Sequence, residues 1–353
     1  KAELQAIKKE YNTPRRTSIE AEVQELKIDQ TVTVADEDVV MLVSRAGYVK
    51  RASVRSYTAS GDENGLRDDD EPVFVEKVNT LQHAFIFTNK GNVIYRPVHE
   101  LPEFKWKDAG EHLSQTITGL ANDEVVIDVR IMSSVDNMAG EWVVATSDGL
   151  IKRTPFADLA PRSTYKKKAT MLIKLKSDDA TVVGLELIDD KKLVGKSVVL
   201  ASENAMGLRY SLDEVPTTGN RTAGVKAMNL EAGDRVVKMA VATDKQAIAV
   251  VSNRGAFKWM PVTEISATSR GRKGVAIMRE LKKDPHRIAA MMVVDVHEPT
   301  PLTVMTDRDK QFDISPKDHP MGQRYSNGSF IIDVEAAGTP VRMHAYVQPL
   351  VLN

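Results

Sequence analysis

The residues in this sequence that are best suited to bind a ligand are cations beside glycines. Residues 269–274 read Ser-Arg-Gly-Arg-Lys-Gly, so three cations lie on one short segment with two glycines. Guanidinium and ammonium groups bind phosphate oxygens, and glycine lets a backbone approach such a ligand and donate its N–H groups. Related clusters occur at residues 166–168, which are three lysines, and around Arg221 in residues 219–224. These segments predict loops that bind a polyanion.

Groups that could carry catalysis are sparse by comparison. The seven histidines are scattered without metal-ligand spacing, and the chain contains no cysteine. No P-loop, no GxSxG nucleophile motif and no GxGxxG after a strand occurs. We therefore expect no cofactor and no metal in this chain, and an enzyme of the propeller type is the least favoured interpretation.

The basic loops belong to a unit that recurs along the chain. Residues 247–261 combine an apolar run, a Ser-Asn-Arg-Gly turn and an alternating return segment, which predicts a β-hairpin ending at Pro261. Similar hairpins are predicted at 39–54, 84–98, 142–156 and 198–212, with a weaker copy at 302–314 that has no glycine. The turn glycines at 47, 91, 149, 207 and 255 are 44, 58, 58 and 48 residues apart, with one extra residue in the fourth turn. This spacing predicts an all-β, propeller-like array of six blades, each with about four short strands.

The other segments can be placed around these hairpins. Apolar segments at 125–131, 182–188, 236–242 and 289–296 are predicted to complete or bridge blades, and residues 341–351 are predicted to form the last strand. Each basic loop is assigned to the blade whose hairpin precedes it, which puts residues 166–168 on blade three, Arg221 on blade four and residues 270–273 on blade five. The spacing of Leu4, Ile7 and Tyr11 predicts a helix, so residues 1–30 are a helix end and a linker and residues 31–353 are the blades. A short strand is expected near Ile19–Val23, and residues 31–35 are expected to pair with blade one.

The distribution of charge along the chain indicates what kind of molecule it could bind. The 353 residues carry a net charge of −1, but residues 247–283 hold eight cations against two acids, while residues 61–80 hold two cations against seven acids. Charge segregated in this way favours a binding face for a polyanion. No apolar run is long enough to span a membrane, and the lack of cysteine agrees with a reducing cytosol.

Two stretches carry a resemblance to a known family. Asp38-Val39-Val40, followed by residues 44–51 (Ser-Arg-Ala-Gly-Tyr-Val-Lys-Arg), resembles the first-blade signature in the C-terminal domain of the A subunit of bacterial type IIA topoisomerases. The opening Leu4, Ile7, Tyr11 and Arg15-Arg16-Thr17 resembles the end of that family's cleavage core and its exit linker. The resemblance covers essentially the whole chain.

The resemblance also favours one branch of the family. The gyrase branch has a basic, glycine-rich box after its first-blade tyrosine, whereas Tyr57 here is followed by residues 58–65, which contain no cation. The stretch 95–102 (Tyr-Arg-Pro-Val-His-Glu-Leu-Pro) resembles topoisomerase IV of the Gram-positive type. The topoisomerase IV branch is therefore preferred, and the DNA-wrapping domain of gyrase remains an alternative.

The resemblance implies a six-bladed β-pinwheel, in which neighbouring blades exchange strands and the outer rim binds and bends duplex DNA. It implies a non-catalytic, monomeric fragment of a cytoplasmic, nucleoid-associated enzyme. That enzyme's B subunit, ATP and Mg²⁺ act through parts not found in this chain, and the domain presents a transport segment for decatenation and supercoil relaxation. The DNA contacts carried over to the hairpins are Lys50, Arg51, Arg96, Lys152, Arg153, Arg209 and Lys258. The contacts carried over to the later loops are Lys105, Lys107, Lys166, Lys167, Lys168, Arg221, Arg270, Arg272 and Lys273.

Blade six has Asp313 where other blades have a cation, so little contact is expected there. A propeller scaffold that binds proteins is the alternative from another class. It would need an exposed apolar or aromatic patch on a blade, and aromatic residues make up only 5% of the chain.

Overall fold

The computed structural model describes residues 1–13, 34–60, 63–136, 138–188, 193–346 and 350. It divides into two compact units, residues 1–34 and 35–353. In the first unit, helix α1 (Ala2–Tyr11) confirms the predicted helix, and Leu4, Ile7 and Tyr11 on it are all exposed. The short strand expected near residues 19–23 and the pairing expected for residues 31–33 lie outside the described residues.

The second unit is built almost entirely from short strands. These are β1 (Asp38–Ser44), β2 (Tyr48–Ser53), β3 (Pro72–Asn79), β4 (His83–Thr88), β5 (Asn92–Pro97), β6 (Glu111–His112), β7 (Val126–Met132), β8 (Glu141–Thr146), β9 (Leu150–Pro155), β10 (Thr170–Met171), β11 (Val182–Ile188), β12 (Lys196–Ser202), β13 (Met206–Ser211), β14 (Val225–Lys226), β15 (Val236–Thr243), β16 (Gln246–Ser252), β17 (Ala256–Pro261), β18 (Val275–Ala276), β19 (Ile288–Asp295), β20 (Leu302–Thr306), β21 (Gln311–Ile314), β22 (Ser329–Phe330) and β23 (Pro340–Ala345). Helix α2 (Val54–Ser60) follows the first hairpin, and α3 (Val334–Ala337) precedes the last strand. Short 3-10 helices occur at Val98–Glu100, Leu113–Gln115, Phe156–Leu159, Leu212–Glu214, Val262–Glu264 and Pro316–Asp318.

The strands form six antiparallel sheets, which confirms the predicted all-β, six-bladed architecture. The sheet orders are β3-β1-β2-β6, β10-β5-β4-β7, β11-β8-β9-β14, β15-β12-β13-β18, β19-β16-β17-β22 and β21-β20-β23. In each of the first five sheets the hairpin lies in the middle. The outermost strand has two residues and comes from the chain segment that follows the next hairpin. Neighbouring blades therefore exchange strands, as the resemblance implied.

Continuous apolar runs explain why the first strand of each hairpin lies in the interior of its blade. The central strands β1, β4, β8, β12 and β16 are buried almost throughout, since they have neighbours on both edges and blades on both faces. Aromatic side chains fill the space between blades two and three, where Phe87, Trp142 and Phe156 pack with ring centroids 4.5 to 5.5 Å apart. Five of the apolar clusters of the described residues draw side chains from two neighbouring blades, so neighbouring sheets are packed face to face.

The inner strands β7, β11 and β15 bring charged groups together. The Lys238 ammonium interacts with Asp128 and Glu186, and Arg130 Nη2 lies 3.1 Å from Asp128 Oδ2. Burial raises the pKa of both carboxyl groups and lowers the pKa of Lys238. These groups offset one another's charge within the unit.

The last blade contacts the first, which makes the six-sheet unit a closed ring. Arg342 Nε on β23 lies 2.8 Å from Glu71 Oε1, immediately before β3. Leu350 packs against the blade-one cluster of Val40, Leu42, Ala52 and Trp106. The predicted final strand is shorter than expected, since it ends at Ala345.

Two details of the hairpin turns differ from prediction. The fourth turn has no extra residue, because Ala205, with φ 61°, occupies the left-handed position that Gly47 takes in blade one. Gly207 instead lies on β13, where an added Cβ would meet Ile277 Cγ2 at 2.4 Å. The glycine is required there by the closely packed segment of the next repeat and not by the turn.

Candidate nucleic-acid interface

The basic segments all lie on loops that lead into the exchanged outer strands. We call these the outer loops and number them by the blade they cover: outer loop 1 (103–110), 2 (160–169), 3 (216–224), 4 (266–274) and 5 (319–328). Because β10, β14 and β18 pair with β5, β9 and β13, outer loops 2, 3 and 4 cover blades two, three and four. The assignment predicted from the order of the chain, to blades three, four and five, was wrong by one blade, since strand exchange returns each loop to the preceding sheet.

Backbone hydrogen bonds connect each of outer loops 2 to 5 with the segment that follows the exchanged strand of the preceding blade. The Thr118 N–H donates to the Lys167 carbonyl at 2.9 Å, and the Lys174 N–H donates to the Thr222 carbonyl at 3.0 Å. The same connection continues with Asn229 to Arg272 at 2.9 Å and Arg279 to Ser326 at 3.1 Å. The five outer loops thus form one continuous rim from blade one to blade five.

Four of the predicted contact residues lie beneath this rim and not on it. Lys50, Lys152 and Lys258 are at most 2% exposed and Arg96 is 8% exposed. Lys152 Nζ donates to the carbonyls of Gly219 at 2.8 Å and Asn220 at 3.1 Å. Arg96 Nη1 donates to the Tyr165 carbonyl at 2.8 Å. These cations are buried and donate hydrogen bonds to carbonyls of the outer loops above them. They are therefore not accessible to DNA, and their prediction as direct DNA contacts is corrected.

Lys50 and Lys258 repeat this arrangement in blades one and five. Lys50 Nζ donates to the carbonyls of Asn64 and Asp108, each at 2.6 Å, and to that of Trp106, whose ring lies 4.6 Å below it. Lys258 Nζ donates to the Arg324 carbonyl at 2.7 Å. Burial lowers the pKa of Lys50, Lys152 and Lys258 to about 8. A carbonyl cage offsets part of the cost of desolvating each ammonium group.

Arg51, Arg153 and Arg209 are also held within the structure. Arg51 Nε donates to the Leu101 carbonyl at 2.9 Å, and Arg153 Nε donates to the Val215 carbonyl at 2.8 Å. Arg209 Nη1 pairs with Asp244 at 3.2 Å, and only 9% of its side chain is exposed. Arg51 and Arg153 are half-buried and bind the backbone just before outer loops 1 and 3, so their contact with DNA stays a prediction. Arg209 is buried and pairs with a residue outside the outer loops, so its prediction as a DNA contact is corrected.

Arg270 joins neighbouring blades together. Its backbone N–H donates to Glu214 Oε2 at 2.7 Å, and its guanidinium donates to the Lys226 carbonyl on the outer strand of the preceding blade. Arg324 repeats both contacts one blade further on, with Glu264 and with the Ala276 carbonyl, each at 2.7 Å. Arg270 therefore has a structural role in the rim, and because its side chain is only half-buried, its contact with DNA stays a prediction.

The remaining eight predicted contacts are exposed on four successive outer loops. They are Lys105, Lys107, Lys166, Lys167, Lys168, Arg221, Arg272 and Lys273. Three of them form exposed ion pairs, Lys107 with Glu63, Lys166 with Glu100 and Lys273 with Glu231, at 2.6, 3.1 and 2.6 Å. Exposed pairs of this kind are weak, about 0 to 1 kcal/mol, so an incoming phosphate can replace the carboxylate.

Lys226 is an exposed cation on the same rim that the sequence reasoning did not select. It lies on β14, two residues after Gly224, and its Nζ donates to Asn229 Oδ1 at 3.1 Å. The signal available in the sequence was its position beside the basic segment 219–224.

A run of four acidic residues, 68–71, precedes β3 of blade one. Asp68 and Asp69 are exposed, while Asp70 Oδ1 accepts hydrogen bonds from the N–H groups of Ala46 and Glu71 at 2.9 Å each. Asp70 thus caps the first hairpin turn. Exposed Asp68 and Asp69 thus place negative charge on blade one, whereas outer loops 2 to 4 present exposed cations.

Comparison with known proteins agrees with this fold and places the chain in a family. A family model described as "DNA gyrase C-terminal domain, beta-propeller" matches residues 38–61, 82–131, 140–189, 196–243 and 246–295. The chain belongs to this family of C-terminal β-propeller domains.

Within the family, the similarity is to topoisomerase IV. The chain is 38% identical over 351 residues to the A subunit of DNA topoisomerase 4 from Streptococcus pyogenes serotype M6, a match that covers 94% of this chain and 42% of that protein. It is 37% identical over 337 residues to the same subunit of Bacillus subtilis, covering 95% of this chain and 40% of that protein. The chain thus spans about two fifths of the length of these relatives.

Solved structures show the same relationship. The crystal structure of a C-terminal domain of DNA topoisomerase IV matches with a TM-score of 0.79 and 36% identity, covering 88% of this chain and 94% of that one. A C-terminal domain of DNA gyrase A matches with a TM-score of 0.61 and 21% identity, covering 88% of this chain and 100% of that one. The second match shows the fold alone.

No helix in the described part of the chain is long and apolar enough to cross a membrane.

Proposed function

We propose that this chain is the part of a topoisomerase IV-type A subunit that binds and bends duplex DNA on its rim. One observation carries the proposal. Exposed cations lie on the outer loops of neighbouring blades, and backbone hydrogen bonds link each loop to the segment that follows the exchanged strand of the preceding blade, which makes one rim. A row of fixed cations on a curved surface matches the regularly spaced phosphates of a duplex bent around it.

Contacts of this kind give affinity without reading sequence. Lysine and arginine side chains on the outer loops neutralise phosphates and release counterions, so binding weakens as salt rises. Many distributed contacts offset the elastic cost of bending the duplex. Blades two, three and four carry Lys167, Arg221 and Arg272, and they form the centre of the proposed path.

The role in the complete enzyme follows from the relatives and is part of the proposal. The domain itself is non-catalytic and would present a transport segment to a cleavage core found elsewhere in the A subunit. We further propose that the complete enzyme decatenates DNA and relaxes supercoils, that it contains a B subunit, and that it uses ATP and Mg²⁺. A monomeric state for this fragment and a cytoplasmic, nucleoid-associated location are part of the same proposal. The absence of a cofactor or metal in this chain stays a prediction.

The proposal is tested by duplex binding across a salt series. We expect sequence-independent binding, with a log–log salt slope that becomes shallower by about 0.9 for each phosphate contact removed. The variant Lys167→Ala/Arg221→Ala/Arg272→Ala should lose about three contacts and should bend a doubly labelled duplex less than the wild type. The matched control is Lys317→Ala, an exposed cation on the 3-10 helix of blade six, which should leave the slope unchanged. Equal slopes for all three proteins would reject the rim as the binding surface.

A protein-binding scaffold has one observation in its favour. Met321, Tyr325 and Phe330 are exposed by 38%, 51% and 55% on outer loop 5 and the strand that follows it. Arg254 lies over the Phe330 ring at 5.3 Å. If the chain does not bind duplex DNA at low salt, the protein-binding scaffold becomes the favoured function, with this patch as its binding surface.

A further inference from the structure

Three buried cations beneath the rim, in blades one, two and three, donate hydrogen bonds to backbone carbonyls beside an exposed cation of the outer loop above them. Lys152 Nζ binds the carbonyls of Gly219 and Asn220 and lies 3.5 Å from the Thr222 hydroxyl. These groups flank Arg221, whose side chain is exposed. Lys50 similarly binds the carbonyls of Trp106 and Asp108, on either side of exposed Lys107.

The same kind of contact with an outer loop occurs in two further blades. Arg96 binds the carbonyls of Tyr165 and Lys166, at 2.8 and 3.2 Å, just before Lys167. Lys258 binds the carbonyls of Gln323 and Arg324, at 3.2 and 2.7 Å, in outer loop 5. A contact repeated in four of the five exchanged loops is a feature of the repeat and not an accident of one blade.

Direct contact between these buried groups and a ligand is excluded by their geometry. Lys152 is fully buried, and its donors are directed to oxygens of the loop above it. The loop has few other attachments to its own blade between residues 219 and 222. Asn220 Nδ2 reaches the Asp158 carbonyl at 3.3 Å, and the Thr222 carbonyl is bound from the neighbouring segment by Lys174.

We infer that Lys152 is a positioning residue that orders outer loop 3 and thereby fixes Arg221 for phosphate contact, with Lys50 and Arg96 acting likewise in their own blades. This inference rests on the proposed DNA-binding function. It assigns the buried cations an effect on affinity without any contact with DNA. Ordering a loop before binding removes the cost of ordering it during binding.

The register of the blades indicates a suitable substitution. Lys152 pairs across the hairpin with Val144, and the same register position holds Ile94 in blade two and Leu208 in blade four. Apolar side chains are therefore accommodated at this position. Lys152→Met removes the donor while retaining an unbranched side chain.

A double-mutant cycle of Lys152→Met and Arg221→Ala tests the inference. Near 0.1 M salt, each single variant should lose about five- to tenfold in duplex affinity, the value expected for one phosphate contact. The double variant should bind about as well as either single variant, because Lys152 acts through Arg221. Hydrogen exchange at residues 219–224 should accelerate in Lys152→Met and stay unchanged in Arg221→Ala.

The outcomes separate the inference from the proposed function. If the wild type does not bind duplex, the proposed function fails and the inference fails with it. If the wild type binds but the two losses are additive, or Lys152→Met leaves affinity unchanged, the inference alone is overturned. Should Lys152→Met not fold, Lys152→Leu, the side chain that Leu208 places at this register position, also removes the donor, and the same cycle with Arg221→Ala applies to it.

Discussion

At the scale of single residues, the position of the charged end decides what a cation does in this protein. Lys152 and Arg221 are both basic and both belong to the third blade, yet one is fully buried and the other exposed. The long stem of lysine can lie in a protein interior if its ammonium group finds oxygen partners. Here those partners are backbone carbonyls more than 60 residues away along the chain.

A pH titration tests this account of the buried lysines. Burial lowers the pKa of Lys152 to about 8 from its ordinary 10.5, so between these values the unfolded chain binds the proton and the folded chain does not. Folding stability should therefore rise with pH from about 8 to about 10 for the wild type relative to Lys152→Met. Denaturant unfolding of both proteins at several pH values measures the difference. A difference that stays constant across this range would contradict the lowered pKa.

At the scale of elements, strand exchange makes the structure depend on close contacts between repeats. Gly274 ends outer loop 4 with φ +87°, and an added Cβ would meet the Gly207 carbonyl oxygen at 2.3 Å. Gly233 has a similar φ of +80° but nothing within 4 Å. Comparing the two glycines therefore distinguishes two contributions to the free energy of unfolding. One is the strain of the left-handed backbone angle, and the other is the steric clash with a neighbouring strand.

Substituting these two glycines gives a matched stability prediction. Gly233→Ala should cost about 1 kcal/mol for the left-handed backbone alone. Gly274→Ala should cost more, about 2 to 4 kcal/mol in total, because β18 must also move away from β13. Thermal and denaturant unfolding measure both changes. Equal losses would show that the exchanged strand tolerates displacement.

The acidic segment of blade one yields a prediction for binding. Asp70 caps the first turn, so the test leaves it in place and changes only Asp68 and Asp69 to Ser. Removing two exposed negative charges should tighten duplex binding modestly, about twofold at low salt, with the gain fading as salt screens it. Anisotropy titrations at two salt concentrations measure this, and Asp309→Ser on blade six provides a control. Unchanged affinity would mean that the duplex does not approach blade one.

At the scale of the whole blade unit, the ring is closed by contacts between its last and first blades. Leu350 packs on blade one, and Arg342 pairs with Glu71 across the junction. Blade six has three strands among the described residues and carries no exchanged outer strand there. The continuous rim of outer loops therefore runs from blade one to blade five.

Breaking the closure should destabilise the unit without touching the rim. Leu350→Ser removes apolar contacts with the blade-one cluster and should lower the free energy of unfolding by about 1 to 2 kcal/mol. Val194→Ser, at a side chain that is 93% exposed, should change it by less than about 0.5 kcal/mol. Duplex affinity should be unaffected by either variant. No loss of stability in Leu350→Ser would show that the ring does not depend on this contact.

The sequence by itself determined the repeat, the hairpins and the family of this protein. Turn glycines, alternating strands and prolines at strand ends act locally, so they can be recognised without knowing what lies nearby in space. Basic segments beside glycines likewise located Lys167, Arg221 and Arg272 on exposed loops. Local pattern could not show which blade each loop covers, because the partner strand comes from a different repeat.

Only the tertiary structure decided which cations are available to a ligand. Lys50, Arg96, Lys152 and Lys258 look like surface cations in the sequence, since nothing near them in the chain satisfies their charge. Strand exchange brings the carbonyls of a loop more than 50 residues away over each of them. A buried cation satisfied by distant backbone and an exposed cation facing solvent have the same side chain, and only the folded chain distinguishes them.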